Sequence, residues 1–270
     1  MTGPLEIRIL SGVVEQNFVR EIFDLVWPTD EGTQITSNLL QALSYNGAYV
    51  SGAFIDEEVV AAAFAFPGVD AHGHPHLHSH MTAVKENFRN QNIGSTIKWH
   101  QRTWALEHGY QRITWTFDPL VRRNAKLNLV KLGVQVLQYL PNFYGDLPDA
   151  LNAGDPTDRA IAQWDLASER VGFAEKELLQ TTVDSDLPIV LENMDGTPLE
   201  RSISERATRV LCYLPEDIIQ IRLTNPELAL KWRLALRNQL LPRMEDGWRI
   251  EGFSDDGAYV VTNKDQAEEI

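Results

Sequence analysis

The sequence predicts a mixed α/β fold in which a central sheet is flanked by helices. Stretches in which apolar residues recur at every second position alternate with longer stretches in which they recur three and four positions apart. The first spacing is typical of strands and the second of amphipathic helices. A chain of 270 residues with 43% hydrophobic and 23% charged side chains can bury a sizeable core, as one large domain or two modest ones.

The early part of the chain is predicted to form a strand, two helices and a hairpin, over residues 5–10, 13–27, 35–45, 48–55 and 59–66. The second helix is expected to begin at Thr36 or Ser37, because a hydroxyl there can accept a hydrogen bond from a free backbone N–H group. Pro67 and Gly68 are expected to close the hairpin, since both residue types favour turns.

The middle of the chain continues the alternation of strands and helices, over residues 76–84, 95–108, 113–117, 123–132, 134–140 and 161–166. A long loop over residues 141–158 is expected to separate the last two strands. This order of elements predicts a mixed sheet.

Beyond residue 168 the pattern predicts an α+β region of short strands, a helical segment and a hairpin, over residues 188–192, 199–202, 208–214, 216–244, 248–253 and 258–262. A break in the helical segment is predicted at Asn225 and Pro226, with Asn225 as the cap of the restarted helix. We expect two domains, residues 1–167 and residues 168–270. The second should pack on the first, because no low-complexity linker separates them, either as a wall of an acceptor site or as a structural or dimerising addition.

The charge and cysteine content exclude several classes of partner. A net charge of −14 argues against nucleic acid and against an anionic membrane surface. The single cysteine, Cys212, excludes a disulfide framework and suits a reducing compartment. No apolar run reaches the length of a membrane span, and the first residues lack a secretion signal. We therefore expect a cytoplasmic protein, which could form a homodimer.

Five of the seven histidines fall within residues 72–80. On a strand, alternation places His76, His78 and His80 on one face. Such a face can bind zinc, but no carboxylate or cysteine nearby in the sequence completes a ligand set, and no metal is expected. The imidazoles could instead be structural, or His78 or His80 could act as a general base, because imidazole titrates near neutral pH.

A loop that carries Gly94 connects the strand 76–84 to the helix 95–108. The first N–H groups of a helix have no partner inside it, and the helix dipole adds about half a positive charge there. Phosphate oxygens fit such a place. The alternative is an ordinary connection between a strand and a helix.

Two motifs resemble those of the GCN5-related N-acetyltransferase (GNAT) superfamily. The first is that family's acyl-coenzyme A loop, Arg/Gln-x-x-Gly-x-Gly/Ala, with Arg89 at its first position, Gly94 at its last, and Asn92 in place of the middle glycine. Asparagine tolerates left-handed backbone angles better than most residues do. The second is a helix over residues 124–133, similar to the family's Asn-x-x-Ala…Tyr-x-x-Leu-Gly, entered from a strand over residues 112–118.

The resemblance covers about residues 5–167, and the chain is similar to a bacterial subgroup with long C-terminal extensions. It implies a GNAT-like acyl-CoA-binding domain over residues 1–167. It implies a sheet that splays at its central strand, so that free backbone groups pair with the pantetheine arm. The coenzyme-binding residues it implies are Thr82, Ala83, Val84, Arg89, Asn90, Gln91, Asn92, Ile93, Gly94, Ser95 and Asn124. Asn124 could alternatively be an N-terminal cap. Arg122 and Arg123 could meet a substrate carboxylate or the 3′-phosphate of the coenzyme, or be solvated.

The function that the resemblance implies is an N-acyltransferase. With acetyl-CoA or another acyl-CoA as co-substrate, it would move an acetyl or succinyl group to the amine of a small molecule, such as an amino acid, by direct transfer in a ternary complex. Leu129 stands where many relatives have an acidic tyrosine, so Tyr139, Tyr144 or water would have to protonate the leaving thiolate. The candidate catalytic residues are His78, His80 and Tyr144. The alternative is a non-catalytic or coenzyme-sensing protein with the same fold, which the departures at Asn92 and Leu129 favour.

Overall fold

The computed structural model describes residues 3–28, 32–145, 154–184, 186–204 and 206–263. The chain divides into two compact units, residues 1–115 and residues 116–270. The domain boundary that the sequence suggests near residue 167 stays a prediction. Part of the expected loop over residues 141–158 lies outside the described residues.

The first unit contains helices α1 (Val13–Val26), α2 (Ser37–Tyr45) and α3 (Ile93–Glu107), and strands β1 (Glu6–Ile9), β2 (Tyr49–Ile55), β3 (Glu58–Val69), β4 (Pro75–Val84) and β5 (Arg112–Phe117), the last of which crosses into the second unit. Its strands follow the order β1-β2-β3-β4-β5, antiparallel except for the parallel pair β4 and β5. The apolar sides of α1 and α2 pack on this sheet, where Phe23, Leu40 and Phe64 are among the buried residues. The strand and helix pattern of the sequence is thereby confirmed for this unit.

Two local predictions in the first unit have opposite outcomes. The hydroxyl of Thr36 accepts a hydrogen bond from the backbone N–H of Leu39 at 3.2 Å, which confirms Thr36 as the cap of α2. The prediction that Pro67 and Gly68 close the hairpin is wrong, because β3 continues through both to Val69 and pairs with β4. The pairing of β3 with β2 ends at Ala65. Beyond Ala65, the side of β3 that faced β2 has no pairing with that strand, and proline is tolerated on such a strand edge.

The second unit contains α4 (Arg122–Ala125), a π-helical segment (Lys126–Lys131), α5 (Glu169–Glu175), α6 (Ile218–Thr224) and α7 (Pro226–Glu245), and strands β6 (Gln135–Leu140), β7 (Arg159–Asp165), β8 (Ile189–Met194), β9 (Thr197–Glu200), β10 (Arg209–Tyr213), β11 (Arg249–Phe253) and β12 (Ala258–Thr262). The strand order is β7-β6-β11-β12-β10-β8-β9, with β8 and β10 parallel. Val136 of β6 pairs with Ile250 of β11, so residues beyond 168 extend the same sheet as β6 and β7.

The predicted break in the long helical segment is confirmed. The side chain of Asn225 accepts a hydrogen bond from the N–H of Leu228 at 3.1 Å, and Pro226 occupies the first turn of α7. Helix α5 was not predicted, although Ser168 caps it by accepting from the N–H of Val171. A helix of seven residues is too short to show a clear apolar period.

In the part of the chain that the structure describes, no helix is long and apolar enough to cross a membrane.

Candidate active site

The loop before α3 has the backbone that a glycine-rich loop would have. After a 3-10 turn at Glu86–Phe88, Asn90 and Asn92 adopt φ angles of 64° and 61°. The left-handed conformation that the sequence analysis allowed for Asn92 is therefore present. The first helical hydrogen bond runs from the N–H of Thr96 to the carbonyl of Asn92 at 3.0 Å.

The N–H groups at the start of α3 are available to a ligand. Among the described residues, no acceptor bonds the backbone N–H of Ile93, Gly94 or Ser95. A methyl group built on Gly94 would meet only the Val84 side chain, at 4.0 Å, and the backbone of Gly94 does not have a positive φ. Neither packing nor backbone conformation therefore requires glycine here, where it costs helix stability relative to alanine. The open space beside Gly94 fits the close approach of a ligand.

Strand β4 has a free edge next to this loop. It pairs with β5 at only two positions, Leu77 with Ile113 and His78 with Thr114. On the β3 side a bulge leaves His80 as an extra residue, because Ser79 pairs with Ala65 and Met81 with Phe64. From Ser79 onward the β5 side of β4 is therefore unpaired in the described structure. An unpaired strand edge can bond an extended ligand that contains amides.

The predicted coenzyme-binding residues of the first unit are continuous along this edge and loop. Thr82, Ala83 and Val84 end β4, and the side chain of Arg89 donates to the carbonyl of Val84 at 3.4 Å. The hydroxyl groups of Ser95 and Thr96 both donate to the carbonyl of Asn92, which fixes the turn.

The two candidate bases, His78 and His80, share one face of β4, with ring centroids 6.1 Å apart and both in contact with Phe66. Their surroundings differ. His78 is half-buried, its Nδ1 lies 3.1 Å from the hydroxyl of Thr114, and burial, together with the neighbouring cations, lowers its pKa to about 4. His80 is more exposed than His78, and its partial burial lowers its pKa from the ordinary value. An imidazole with a pKa far below neutral is a weak base, so His80, the more exposed of the two, is the better candidate for the general base.

Lys98 is a residue that the sequence analysis missed. It lies on α3 with 6% of its surface exposed, donates to the hydroxyl of Ser79 at 2.6 Å, and places its ammonium 3.9 Å from the centre of the Trp115 ring. Burial lowers its pKa to about 7. The signal in the sequence was a lysine next to Ile97 in the buried stripe of α3, a position where an apolar residue is expected.

The second unit carries the other candidates. Helix α4 begins at Arg122 after Val121, and no side chain caps it, so the reading of Asn124 as an N-terminal cap is wrong. Leu129 is fully buried in the π-helical segment. Arg122 is not simply solvated, because it donates to the carbonyl of Leu214.

The two tyrosines considered as acids differ in access. Tyr139 is buried and donates to Asp158 at 2.6 Å, and burial together with that carboxylate raises its pKa well above the ordinary value. Tyr144 is 38% exposed, and its hydroxyl lies 2.9 Å from that of Thr116. Tyr144 is therefore the accessible one.

Among the described residues, no three or more histidine, cysteine, aspartate or glutamate side chains are arranged to hold a metal ion.

Comparison with known proteins identifies the family of one part of this chain. Residues 17–133 match the model of the Acetyltransferase (GNAT) family. This part of the chain therefore belongs to the GNAT family and has the acyl-CoA N-acyltransferase fold. The match contains β4, α3 and the segment between them that leads to Gly94 (residues 85–94, the glycine loop), and it ends at Gly133. No curated protein matches the sequence.

Several solved structures are similar at low identity. The protein smu.2055 of Streptococcus mutans is 17% identical, with 60% of this chain and 99% of that one covered and a TM-score of 0.49. An acetyltransferase of the GNAT family from Streptococcus pneumoniae is 14% identical, covering 59% and 98%, with a TM-score of 0.48. A GNAT family acetyltransferase from Elizabethkingia anophelis with acetyl-CoA bound is 15% identical, covering 60% and 97%, with a TM-score of 0.45.

Proposed function

We propose that this chain is an acyl-CoA-dependent N-acyltransferase that moves an acetyl or succinyl group directly to the amine of a small molecule. The observation that carries the proposal is the free edge of β4 leading into the available N–H groups of Ile93 and Gly94. An extended amide-containing arm can pair with such an edge, while a pyrophosphate bonds the N–H groups at the helix terminus. The net charge of −14 means that local N–H groups, rather than overall attraction, must hold this anionic coenzyme.

The chemistry requires removal of a proton from the acceptor ammonium and stabilisation of the departing thiolate. We assign the first role to His80, whose exposed imidazole can meet an acceptor, and the second to Tyr144, whose exposed hydroxyl can donate a proton. The acyl carbon passes from the sulfur of the coenzyme to the nitrogen of the acceptor. The C–N bond forms as the C–S bond breaks. The acceptor nitrogen loses two protons, the first from the ammonium to His80 and the second from the tetrahedral adduct; the thiolate gains one through Tyr144, and one is released to solvent.

Calorimetric titration with acetyl-CoA and succinyl-CoA, followed by a thiol-release assay with a panel of amines, tests the proposal. Binding with thiol release supports the transferase. Binding without release from any amine supports the second candidate, a coenzyme-sensing protein, which is favoured by the burial of Leu129 where relatives have a tyrosine. Absence of binding removes both.

Replacing His80 with glutamine is expected to lower kcat/KM by roughly 100-fold, because a positioned general base typically contributes that much. His80 must be neutral to accept a proton, and its pKa is lowered, so the acidic limb of the wild-type profile should lie below pH 6.5. That limb should vanish in the variant. His78→Gln, on the same strand face, is the control and should retain the limb. An unchanged profile in His80→Gln would show that another group is the base.

Replacing Tyr144 with phenylalanine is expected to lower kcat about 10-fold or more, with KM for the acyl-CoA unchanged, because only the protonation of the departing thiolate is affected. Steady-state thiol release measures both constants. Tyr45→Phe, at a tyrosine that is 87% exposed on α2, is the control and should behave as wild type. Equal activity of Tyr144→Phe and wild type would assign the protonation to water.

A cytoplasmic location and a homodimer also remain proposals from the sequence. Sedimentation velocity over a range of concentrations tests the dimer.

A further inference from the structure

A buried ionic cluster lies in the second unit, beside the loop that carries Tyr144. Arg222 and Arg233 of α6 and α7 both bond Asp155, at 2.9 and 2.8 Å, and both bond Asp118. Arg237 bonds Asp158 at 2.7 Å. Burial raises the pKa of Asp118, but Arg233 and Arg222 outweigh that effect and hold this pKa well below its ordinary value. Three carboxylates thus face three guanidinium groups, and the charges of the cluster cancel.

Arg159 adds a positive charge that this cluster does not neutralise. It is half-buried at the start of β7, and its Nη1 donates to its neighbour's backbone carbonyl, that of Asp158, at 2.9 Å. Among the described residues it forms no ion pair with a carboxylate. Burial lowers its pKa in spite of the attraction of Asp118. A guanidinium that is partly removed from water without a carboxylate partner favours an anion that arrives with a ligand.

The position of Arg159 connects it to the proposed acid. Its guanidinium lies 5.2 Å from the centre of the Tyr144 ring. The loop holding Tyr144 is fastened by Thr157, whose hydroxyl accepts from the N–H of Tyr144 at 3.0 Å and donates to the carbonyl of Gly145 at 2.9 Å. Phe143, 47% exposed, packs edge-on against Tyr144. Arg159 therefore lies close to any ligand that binds against the exposed Tyr144 ring.

We propose that Arg159 binds the carboxylate of the acceptor, so that the substrate class is a small amine that also carries a carboxylate, as an amino acid does. The inference rests on the proposed transferase function and narrows its acceptor. Arg159 bonds the carboxylate through its remaining N–H groups while its face stays on Tyr144. The planar, forked guanidinium matches a carboxylate better than an ammonium would.

Paired acceptors test this assignment. Thiol release is measured with several amino acids and with the corresponding amines that lack the carboxylate, for wild type, Arg159→Gln, Arg159→Lys and the control Arg206→Gln, at an exposed arginine of the same unit. We expect wild type to prefer the amino acids. Arg159→Gln should lose about 10- to 100-fold in kcat/KM with them, mainly through KM, and change less than about 3-fold with the amines. Arg159→Lys should recover part of the loss, and Arg206→Gln should lose nothing.

Each competing explanation gives a different result. Equal losses with amino acids and amines would assign Arg159 a purely structural role and overturn the inference. A change in the preference for succinyl-CoA over acetyl-CoA, without a change in acceptor preference, would place the recognised carboxylate on the acyl group and also overturn it. A loss with acetyl-CoA that is absent with its 3′-dephospho form would assign Arg159 to the coenzyme. Thiol release without acceptor discrimination removes this inference alone, whereas no thiol release from any amine in wild type removes the transferase function as well.

Discussion

Replacing Gly94 with valine is expected to lower the affinity for acetyl-CoA by at least about 100-fold, which corresponds to about 2.7 kcal/mol. The reason is steric and electrostatic at once. The valine side chain would fill the open space next to Gly94 and keep the pyrophosphate away from the N–H groups of Ile93, Gly94 and Ser95. The fold should survive, because a methyl group at this position meets only Val84, at 4.0 Å.

The chain offers a matched control for this substitution. Gly172 lies inside α5 without a positive φ, and a methyl group built on it meets nothing within 4 Å. Alanine at either position should therefore stabilise the protein by up to about 1 kcal/mol, since glycine is a poor helix former. Only the substitutions at Gly94 should weaken acetyl-CoA binding. Calorimetric titration gives the affinities, and denaturation in urea gives the stabilities. An affinity of Gly94→Val equal to that of Gly172→Val would mean that the coenzyme does not approach this turn.

The elements that the sequence predicted well are those whose signals are local. The cap at Thr36, the restart at Asn225 and the left-handed backbone at Asn92 each depend on a few neighbouring residues, and all three are present. Pro67 was misread because its tolerance depends on where the neighbouring strand β2 ends, which no local pattern shows. The alternative role of Asn124 as an N-terminal cap is wrong because α4 starts two residues earlier, without a side-chain cap.

The candidate site was only partly predictable, because some of its features depend on contacts between residues that are distant in sequence. The glycine loop is one continuous stretch with a family motif, so it could be read directly. The low pKa of His78 arises first from burial, then from the charges of His80 and His76, and last from Lys98 on another element, and burial depends on the tertiary structure. The role proposed for Arg159 depends on the cancelling charges of the neighbouring ionic cluster, whose residues range from Asp118 to Arg237 in the sequence. Pairings over such separations leave no periodic trace in a single sequence.

Replacing Lys98 with methionine is expected to stabilise the protein at pH 6, although it deletes the hydrogen bonds that the ammonium donates to Ser79 and, at 3.4 Å, to Gln101. Burial lowers the pKa of Lys98 from 10.5 to about 7, so placing the charged form in its site opposes folding. That fall corresponds to about 5 kcal/mol. The loss of the hydrogen bonds to Ser79 and Gln101 and of the contact with the Trp115 ring should destabilise the variant by roughly 1 to 3 kcal/mol, which offsets part of this gain. Methionine matches the length of the lysine stem and carries no charge, so a net gain of roughly 2 to 4 kcal/mol is expected.

The pH dependence separates this effect from better packing. The folded state loses the Lys98 proton near pH 7, whereas the unfolded chain keeps it until about pH 10.5. Between these values the unfolded state binds more protons, so the opposition to folding is complete below pH 7 and disappears as pH rises towards 10.5. The stability advantage of Lys98→Met over wild type should therefore shrink between pH 6 and pH 10, and the hydrogen bond to Ser79 could then favour wild type.

Urea denaturation of both proteins at several pH values measures the difference directly, and taking a difference between variants removes the titration of all other groups. Lys176→Met, at an exposed lysine of the second unit, is the control and should change stability by no more than about 0.5 kcal/mol at any pH. A gain in Lys98→Met that is constant across pH would mean that lysine is merely a poor fit to the site. Destabilisation at pH 6 would mean that the ammonium is stabilised there, and that its bonds to Ser79 and Trp115 hold α3 against the free part of β4.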